Sequence, residues 1–299
     1  MTGMTCLVTG ATSGIGFETA RILAGLGARL IGVGRDPCRC AEASAHIREA
    51  APGADVRFET ADLSSQAAVR GLAARIADRE SRLDVLVNNA GLFTFRRAES
   101  VDGIEMQFAV NHLAGFLLTH ELLPLLQAAQ SARVVFVSSG SHFSGRIRFR
   151  DPGRRRFYSG LAAYEQSKLA VLMTGVELAR RLGPGSAIDT YAADPGLVRT
   201  EIGRKDGNPL VRWIWGLRAG CGIEAREAAA SLAWLATDPS IKGCTGRYWK
   251  ERQVVRSSRF STDPGACRRL WDLSERLCEP MIGRTITGHA GRSERFTAA

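Results

Sequence analysis

The sequence predicts an α/β protein: a doubly wound parallel sheet in a single domain, with a C-terminal helical extension. The first observation behind this is an alternation of short apolar runs with helix-periodic segments through most of the chain. The second is the stretch Thr9-Gly10-Ala11-Thr12-Ser13-Gly14-Ile15-Gly16, set between the first apolar run and the first helical pattern. The third is a small-residue turn, Asn88-Asn89-Ala90-Gly91, that closes a later apolar run.

Residues 6–8 form the first expected strand. Gly10 permits the tight turn after it, Gly14 lets the backbone approach a phosphate, and Gly16 lets helix and strand pack closely. The helix start, with Ser13 and Ile15, offers unpaired N–H groups and a positive dipole end to an anion. The spacing is G-x-x-x-G-x-G, and alone it reads equally as a plain strand-to-helix turn. Residues 29–33 are the second strand, ending at Gly34-Arg35-Asp36-Pro37. An acid there accepts from a ribose 2′-hydroxyl, whereas an arginine pairs with a 2′-phosphate. Arg35 after a bulk-free Gly34 favours NADP(H), and Asp36 argues the other way.

Residues 55–60 are the third strand, with Asp62 and Leu63 at its end. Asp62 reads as a contact to an adenine amino group or as a helix N-cap before Ser64. Residues 83–87 lead to Asn89, Ala90 and Gly91, where a flat ring can lie close and amides can brace neighbouring strands. Residues 105–127 read as one long helix around Asn111, a weak helix former that needs a reason to be there. Either it holds a water, through its side chain or a local kink, or it is a buried amide satisfying a neighbour. His112 and His120 lack companion ligands and read as structural. The strand 133–137 ends in Ser138-Ser139-Gly140-Ser141. Tyr164 and Lys168 then share one face of a helix running to about residue 182. The strand 188–193 is followed by Asp194, Pro195 and Gly196, with Val198 and Thr200 placed to meet a nicotinamide carboxamide. A helix over 224–236, a last strand over 245–249, a helix over 267–277 that packs back on the domain and a tail over 288–299 complete the pattern.

Composition narrows the function classes. A chain that is 45% hydrophobic and 23% charged suits a globular protein with a sizeable core. No apolar run approaches the ~20 residues of a membrane span. The first strand begins within a few residues, which leaves no room for a signal peptide and implies a cytoplasmic location. Seven cysteines without paired C-x-x-C spacing favour reduced thiols, with neither a disulfide framework nor a metal site. A net charge of +10 admits nucleic acid, but aromatic residues are 7% of the chain and no nucleic-acid motif appears. A phosphorylated cofactor and a small-molecule substrate account for the charge better.

Together, the glycine-rich turn, Asn88-Asn89-Ala90-Gly91, Asn111, Ser139, Tyr164, Lys168 and Pro195-Gly196 resemble the short-chain dehydrogenase/reductase family over about residues 4–250. Residues 251–299 form an extension beyond this domain. Val110-Asn111-His112-Leu113, Gly160-Leu161-Ala162-Ala163-Tyr164, Glu177-Leu178-Ala179-Arg180-Arg181-Leu182 and Arg268-Arg269-Leu270-Trp271-Asp272-Leu273-Ser274 resemble its retinol-dehydrogenase-like branch. The resemblance implies a Rossmann-type fold and hydride transfer between a nicotinamide and a carbonyl or alcohol. It gives Tyr164 the proton exchange and has Lys168 lower the phenol's pKa from near ~10 while binding the nicotinamide ribose. Ser139 would hold the substrate oxygen, with Ser138 and Ser141 as rivals, and Asn111 would hold a water linking Lys168 to solvent. It also implies a possible homodimer through the helices carrying Asn111 and Tyr164.

Ser13 stands where NADP-preferring members often carry a basic residue, so Arg35 bears most of the NADP reading. The segments 145–160 and 197–222 are expected to flank the substrate, the second reading as an apolar lid or equally as an ordinary packed helix or dimer contact. The first carries Arg146, Arg148, Arg150, Arg154, Arg155 and Arg156, which read as a solvated surface or as an attractor for an acidic partner or a membrane surface. Two rival functions share the fold: a non-catalytic NADP(H)-sensing protein and a protochlorophyllide-reductase-like enzyme. No cysteine stands beside Pro195-Gly196 to serve the latter as proton donor.

Overall fold

The computed structural model describes residues 1–196 and 224–278. Val198, Thr200, the expected lid 197–222 and the expected tail lie outside the described residues. Strands β1 (Thr5–Thr9), β2 (Arg29–Gly34), β3 (Val56–Thr60), β4 (Val85–Asn88), β5 (Ala132–Val137), β6 (Ile188–Asp194), β7 (Arg247–Lys250) and β8 (Gln253–Val254) form one sheet in the order β3-β2-β1-β4-β5-β6-β7-β8. All pairs are parallel except β7 with β8. The order reverses between β1 and β4, and the crevice outside the strand ends there is where such sheets bind ligands.

Both faces of the sheet are buried because its strands are apolar on both sides. Leu7, Ile31, Leu86 and Val134 point into one core, with α3 (Gln66–Ala77), α4 (Ala114–Glu121) and α6 (Gly160–Leu182) over them. Val8, Leu30, Val87 and Val135 point into the other, beneath α1 (Gly14–Gly25), α2 (Pro37–Ala50) and α7 (Ala225–Thr237). The extension supplies α8 (Pro264–Cys278), whose Leu270, Trp271 and Cys278 join the first core.

Two elements differ from expectation. The helix expected over 105–127 is three pieces: a π-helical turn (Phe108–Leu113), α4, and α5 (Leu123–Gln127). Leu122 breaks the run where Pro124 enters the first turn of α5, since proline cannot donate to a continuing helix. The strand β8 had no sequence signal. It returns from β7 through Glu251 and Arg252, at φ of 50° and 63°, the left-handed pair that a two-residue hairpin needs. Asn-Gly announces such a turn; Glu-Arg does not.

Candidate active site

The cofactor end is built where β1 and β4 stop. Gly10 and Gly14 both sit at positive φ, 67° and 57°. A Cβ on Gly16 would collide with the Asn89 amide and the Gly10 carbonyl, so helix and turn need its absence. Asn89 donates through Nδ2 to the Thr9 carbonyl at 2.8 Å, and the Asn89 and Ala90 N–H groups both donate to Thr9 Oγ1 at 3.0 Å. The two loops are thereby locked side by side. Ser13 precedes α1 in extended backbone without a side-chain capping bond, so the first-turn donors of α1 are left for an anion.

Along the same rim, Gly34 leaves room for the Thr12 methyl, which draws the end of β2 against the glycine-rich turn. Arg35 is exposed there and forms no ion pair among the described residues. Asp36 is committed elsewhere: its carboxylate caps α2, accepting from Cys38 N at 2.8 Å and Arg39 N at 3.3 Å. Asp62 is exposed and accepts only from Ser64 N, while Ser65 caps α3, so the N-cap alternative for Asp62 is not the arrangement found. Leu63 lines a small cavity with Thr9, Asn88, Ala90 and Asn111, next to the ends of β1 and β4.

The residues expected to act on substrate converge at the start of α6. Ser159 caps this helix through Ala162 N, and helical spacing sets Tyr164 and Lys168 one turn apart. Phe93 stands edge-on to the Tyr164 ring at 5.5 Å, and Lys168 Nζ lies 5.7 Å from that ring's centroid. Ser139 hydrogen-bonds Tyr164. Ser138 is buried and donates to the Lys168 carbonyl at 2.8 Å, so its hydroxyl is spent on α6. Ser141 is held to Ser139 by its N–H and its hydroxyl, at 3.2 and 3.3 Å. Pro195 and Gly196 turn away behind Asp194, which accepts from Gly196 N at 2.9 Å.

Asn111 lies in the π-helical turn, the local kink the sequence allowed for. Its amide braces neighbours: Nδ2 donates to the Leu92 carbonyl and to Ser167 Oγ, both at 2.9 Å, and Oδ1 accepts from Leu92 N at 2.7 Å. Both amide hydrogens are used, and Oδ1 keeps a second lone pair.

Electrostatics differ from one expectation. Burial pushes the Tyr164 phenol up to about 12, Asp194 adds to the rise and the Ser139 hydrogen bond opposes it. Lys168 is itself pushed down to about 8 by burial, against the pull of Asp194. Its ammonium donates to the Val137 carbonyl at 3.0 Å and stands 5.7 Å over the Tyr164 ring, while burial dominates the phenol's shift.

Sequence reasoning passed over the groups behind Ser139. His142 is fully buried, with Nδ1 2.9 Å from the Ser139 carbonyl and Nε2 3.3 Å from Ser258 N. Tyr248 stands edge-on to it at 4.7 Å and donates to Asp194 Oδ2 at 2.9 Å. The only signal for His142 was its place three residues after Ser139; Ser258 lies more than a hundred residues away and gave none. The insertion 145–160 is an ordered strap: Gln166 accepts from Arg148 N and donates to the Pro152 carbonyl. Arg154 is buried, which corrects its reading as surface, while the strap's other five arginines are exposed. No cluster of metal-ligating side chains occurs among the described residues.

Comparison with known proteins agrees with this geometry. The family model for short chain dehydrogenases matches residues 4–209. Retinol dehydrogenase 14 of Mus musculus is 39% identical over 92% of this chain and 86% of its own length. Retinol dehydrogenase 13 of Homo sapiens is 38% identical over 92% and 84%. A solved structure of an uncharacterized protein from Mycobacterium paratuberculosis, 35% identical, superposes with a TM-score of 0.73 over 93% of this chain and 94% of that one. A short chain dehydrogenase from Escherichia coli, solved in complex with NADPH and 26% identical, gives 0.66 over 85% and 98%. A glycine-rich anion cradle, an Asn-Asn-Ala-Gly brace and a serine, tyrosine and lysine at one strand end thus occur in a chain that belongs to the short-chain dehydrogenase/reductase family, in its retinol-dehydrogenase-like branch, as an NAD(P)-dependent oxidoreductase of alcohols and carbonyls.

Proposed function

We propose that the chain is an NADP(H)-dependent oxidoreductase that interconverts the carbonyl and alcohol forms of a hydrophobic small molecule. The observation that carries the proposal is the convergence of Ser139, Tyr164 and Lys168 beside the crevice where the strand order reverses. Bound nicotinamide supplies the hydride. Tyr164, protonated at neutral pH, is the acid that completes carbonyl reduction, and Ser139 holds the substrate oxygen. Lys168 holds the nicotinamide ribose, and Asn111 keeps the π-helical turn in place against Ser167. Gly10, Gly14, Gly16 and the uncapped start of α1 hold the pyrophosphate; Asn89, Ala90, Gly91, Pro195 and Gly196 line the cofactor's path.

The NADP preference rests on Arg35, unpaired at the end of β2, with Asp36 consumed by the α2 cap. The apolar character of the substrate rests on Phe93 and Phe95, T-shaped to one another at 4.5 Å beside Tyr164. The intact Ser139, Tyr164 and Lys168 favour an enzyme over a nucleotide sensor. The described cysteines are all free thiols, which fits the cytoplasmic location that belongs to the same proposal. No helix among the described residues is long and apolar enough to cross a membrane. A homodimer through the helices carrying Asn111 and Tyr164 belongs to the same proposal; on α4 and α6, Trp271 of α8 packs against Phe116 and Arg181.

The test is oxidation of NADPH and NADH in parallel against a panel of aldehydes and ketones that includes retinal. NADPH-dependent turnover is expected. Arg35→Ala is expected to raise the KM for NADPH roughly ten- to a hundredfold, the worth of a charge-assisted phosphate contact, and to leave the KM for NADH unchanged. Equal use of both nucleotides by the unaltered enzyme contradicts the preference.

A further inference from the structure

We infer that His142 is a positioning residue for Ser139, tying the substrate-oxygen donor to the chain beyond β8. The inference rests on the proposed role of Ser139. The direction of the hydrogen bonds follows from chemistry. Ser258 presents a backbone N–H, which can only donate, so Nε2 of His142 is the acceptor and carries no proton. The ring's one proton is therefore on Nδ1 and is donated to the Ser139 carbonyl.

That carbonyl also receives the His142 backbone N–H at 3.0 Å, so one residue grips it twice. The Ser139 hydroxyl is oriented from the other side by Ser141 N. Behind the imidazole, the Tyr248 ring closes the space, and its hydroxyl fixes Asp194, which in turn holds Gly196 N. A Cβ on Gly140 would lie 3.3 Å from Asp194 Oδ2, so the serine turn sits directly against this carboxylate. Two loops that flank the reacting atoms, after β5 and after β6, are thus referenced to each other through His142, Tyr248 and Asp194. Burial favours the neutral ring this arrangement requires, against the hydrogen bond to the Ser139 carbonyl and against Asp194, the charged group that faces it.

Imidazole ¹⁵N shifts of the full-length protein at pH 7 read the arrangement without any turnover. A neutral ring protonated on Nδ1 is expected; protonation on Nε2, or an imidazolium, overturns the inference. Kinetics with NADPH and retinal read its consequence. His142→Phe keeps the ring against Tyr248 and removes both side-chain bonds. It is expected to lower kcat about tenfold, the worth of one misplaced donor, with NADPH affinity unchanged. His142→Asn, which retains a donor near the Nδ1 position, is expected to recover most of that loss. In a Ser139→Ala background His142→Phe is expected to cost nothing further. Full additivity of the two changes, or a His142→Phe enzyme as fast as the parent, contradicts the inference. If His142→Phe fails to bind NADPH, His142→Asn takes its place, and a loss of kcat that multiplies with Ser139→Ala contradicts it. Undiminished turnover by Ser139→Ala alone would instead overturn the site reading beneath it.

Discussion

The two faces of α6 set chemistry beside stability on one helix. Toward the crevice it presents Tyr164, Ser167 and Lys168. On that face Lys168 is held below its ordinary range by burial and the Tyr164 phenol above its own, so the charged forms of both are disfavoured. Toward α8 the helix presents Thr174, Glu177 and Arg181. There Glu177 accepts from Arg180 and Arg181 at 2.6–2.9 Å, and the Arg181 guanidinium lies 4.6 Å over the Trp271 ring. Trp271 also meets Phe116 edge-on at 4.9 Å, and Ser274 bonds His112 Nε2 at 2.8 Å. The first face holds groups at the expense of their solvation; the second has paired its charges and filled its space. A helix can carry a poorly solvated proton-transfer face when its other face is anchored this firmly.

Replacing Lys168 separates the two faces most sharply. Lys168→Met is expected to lower kcat/KM by about 10²–10⁴ while leaving the fold as stable or more so. Its pH signature has a definite sign. With a folded pKa of about 8 against an ordinary 10.5, the unfolded chain binds more protons between those values. Wild-type stability therefore gains from this residue as pH rises from 8 to above 10, and urea unfolding should show that gain missing from the variant. A Lys168→Met protein that is much less stable at pH 7 would break the comparison.

Trp271→Ala acts on the other face. Truncating this buried ring is expected to cost about 3–5 kcal/mol in denaturant unfolding, with kcat per folded enzyme within about twofold of the parent. A large loss of kcat at preserved stability would mean that α8 belongs to the site as well. His112 gives the smallest effect. Burial holds its pKa at about 3, so the unfolded chain binds the extra proton as pH falls from 6.5 toward 3, and stability is lost across that window. His112→Gln should show a shallower decline in unfolding free energy between pH 7 and pH 4, measured against the parent under the same salt.

What was legible in the sequence follows the same division. The cofactor end was legible because its chemistry is local. Gly10, Gly14 and Gly16 lie within seven residues, and Tyr164 and Lys168 within five, so spacing alone brings them together. The strands β1, β2, β4 and β5 were legible because both their faces are buried and their runs are apolar. The π-helical turn was half-visible, as an asparagine in the wrong place for a helix. The pairing of His142 with Ser258 was not visible, because a contact across more than a hundred residues leaves no spacing to read. Nor was the burial of Arg154 among the strap's arginines, since six like charges in eleven residues read as a solvated run. The choice between Ser138 and Ser139 needed the structure too: adjacent strand-end residues point to opposite sides, and here Ser138 turns into α6.

The central claim is that the crevice face of α6 performs the proton transfer, and Tyr164→Phe tests it most directly. Removing one hydroxyl leaves the ring against Phe93, so the variant should bind NADPH and unfold like the parent. Its NADPH oxidation with the best aldehyde or ketone of the panel is predicted to fall by about 10²–10⁴. Tight NADPH binding with turnover undiminished would contradict the account, and the acid would have to be sought elsewhere in the crevice.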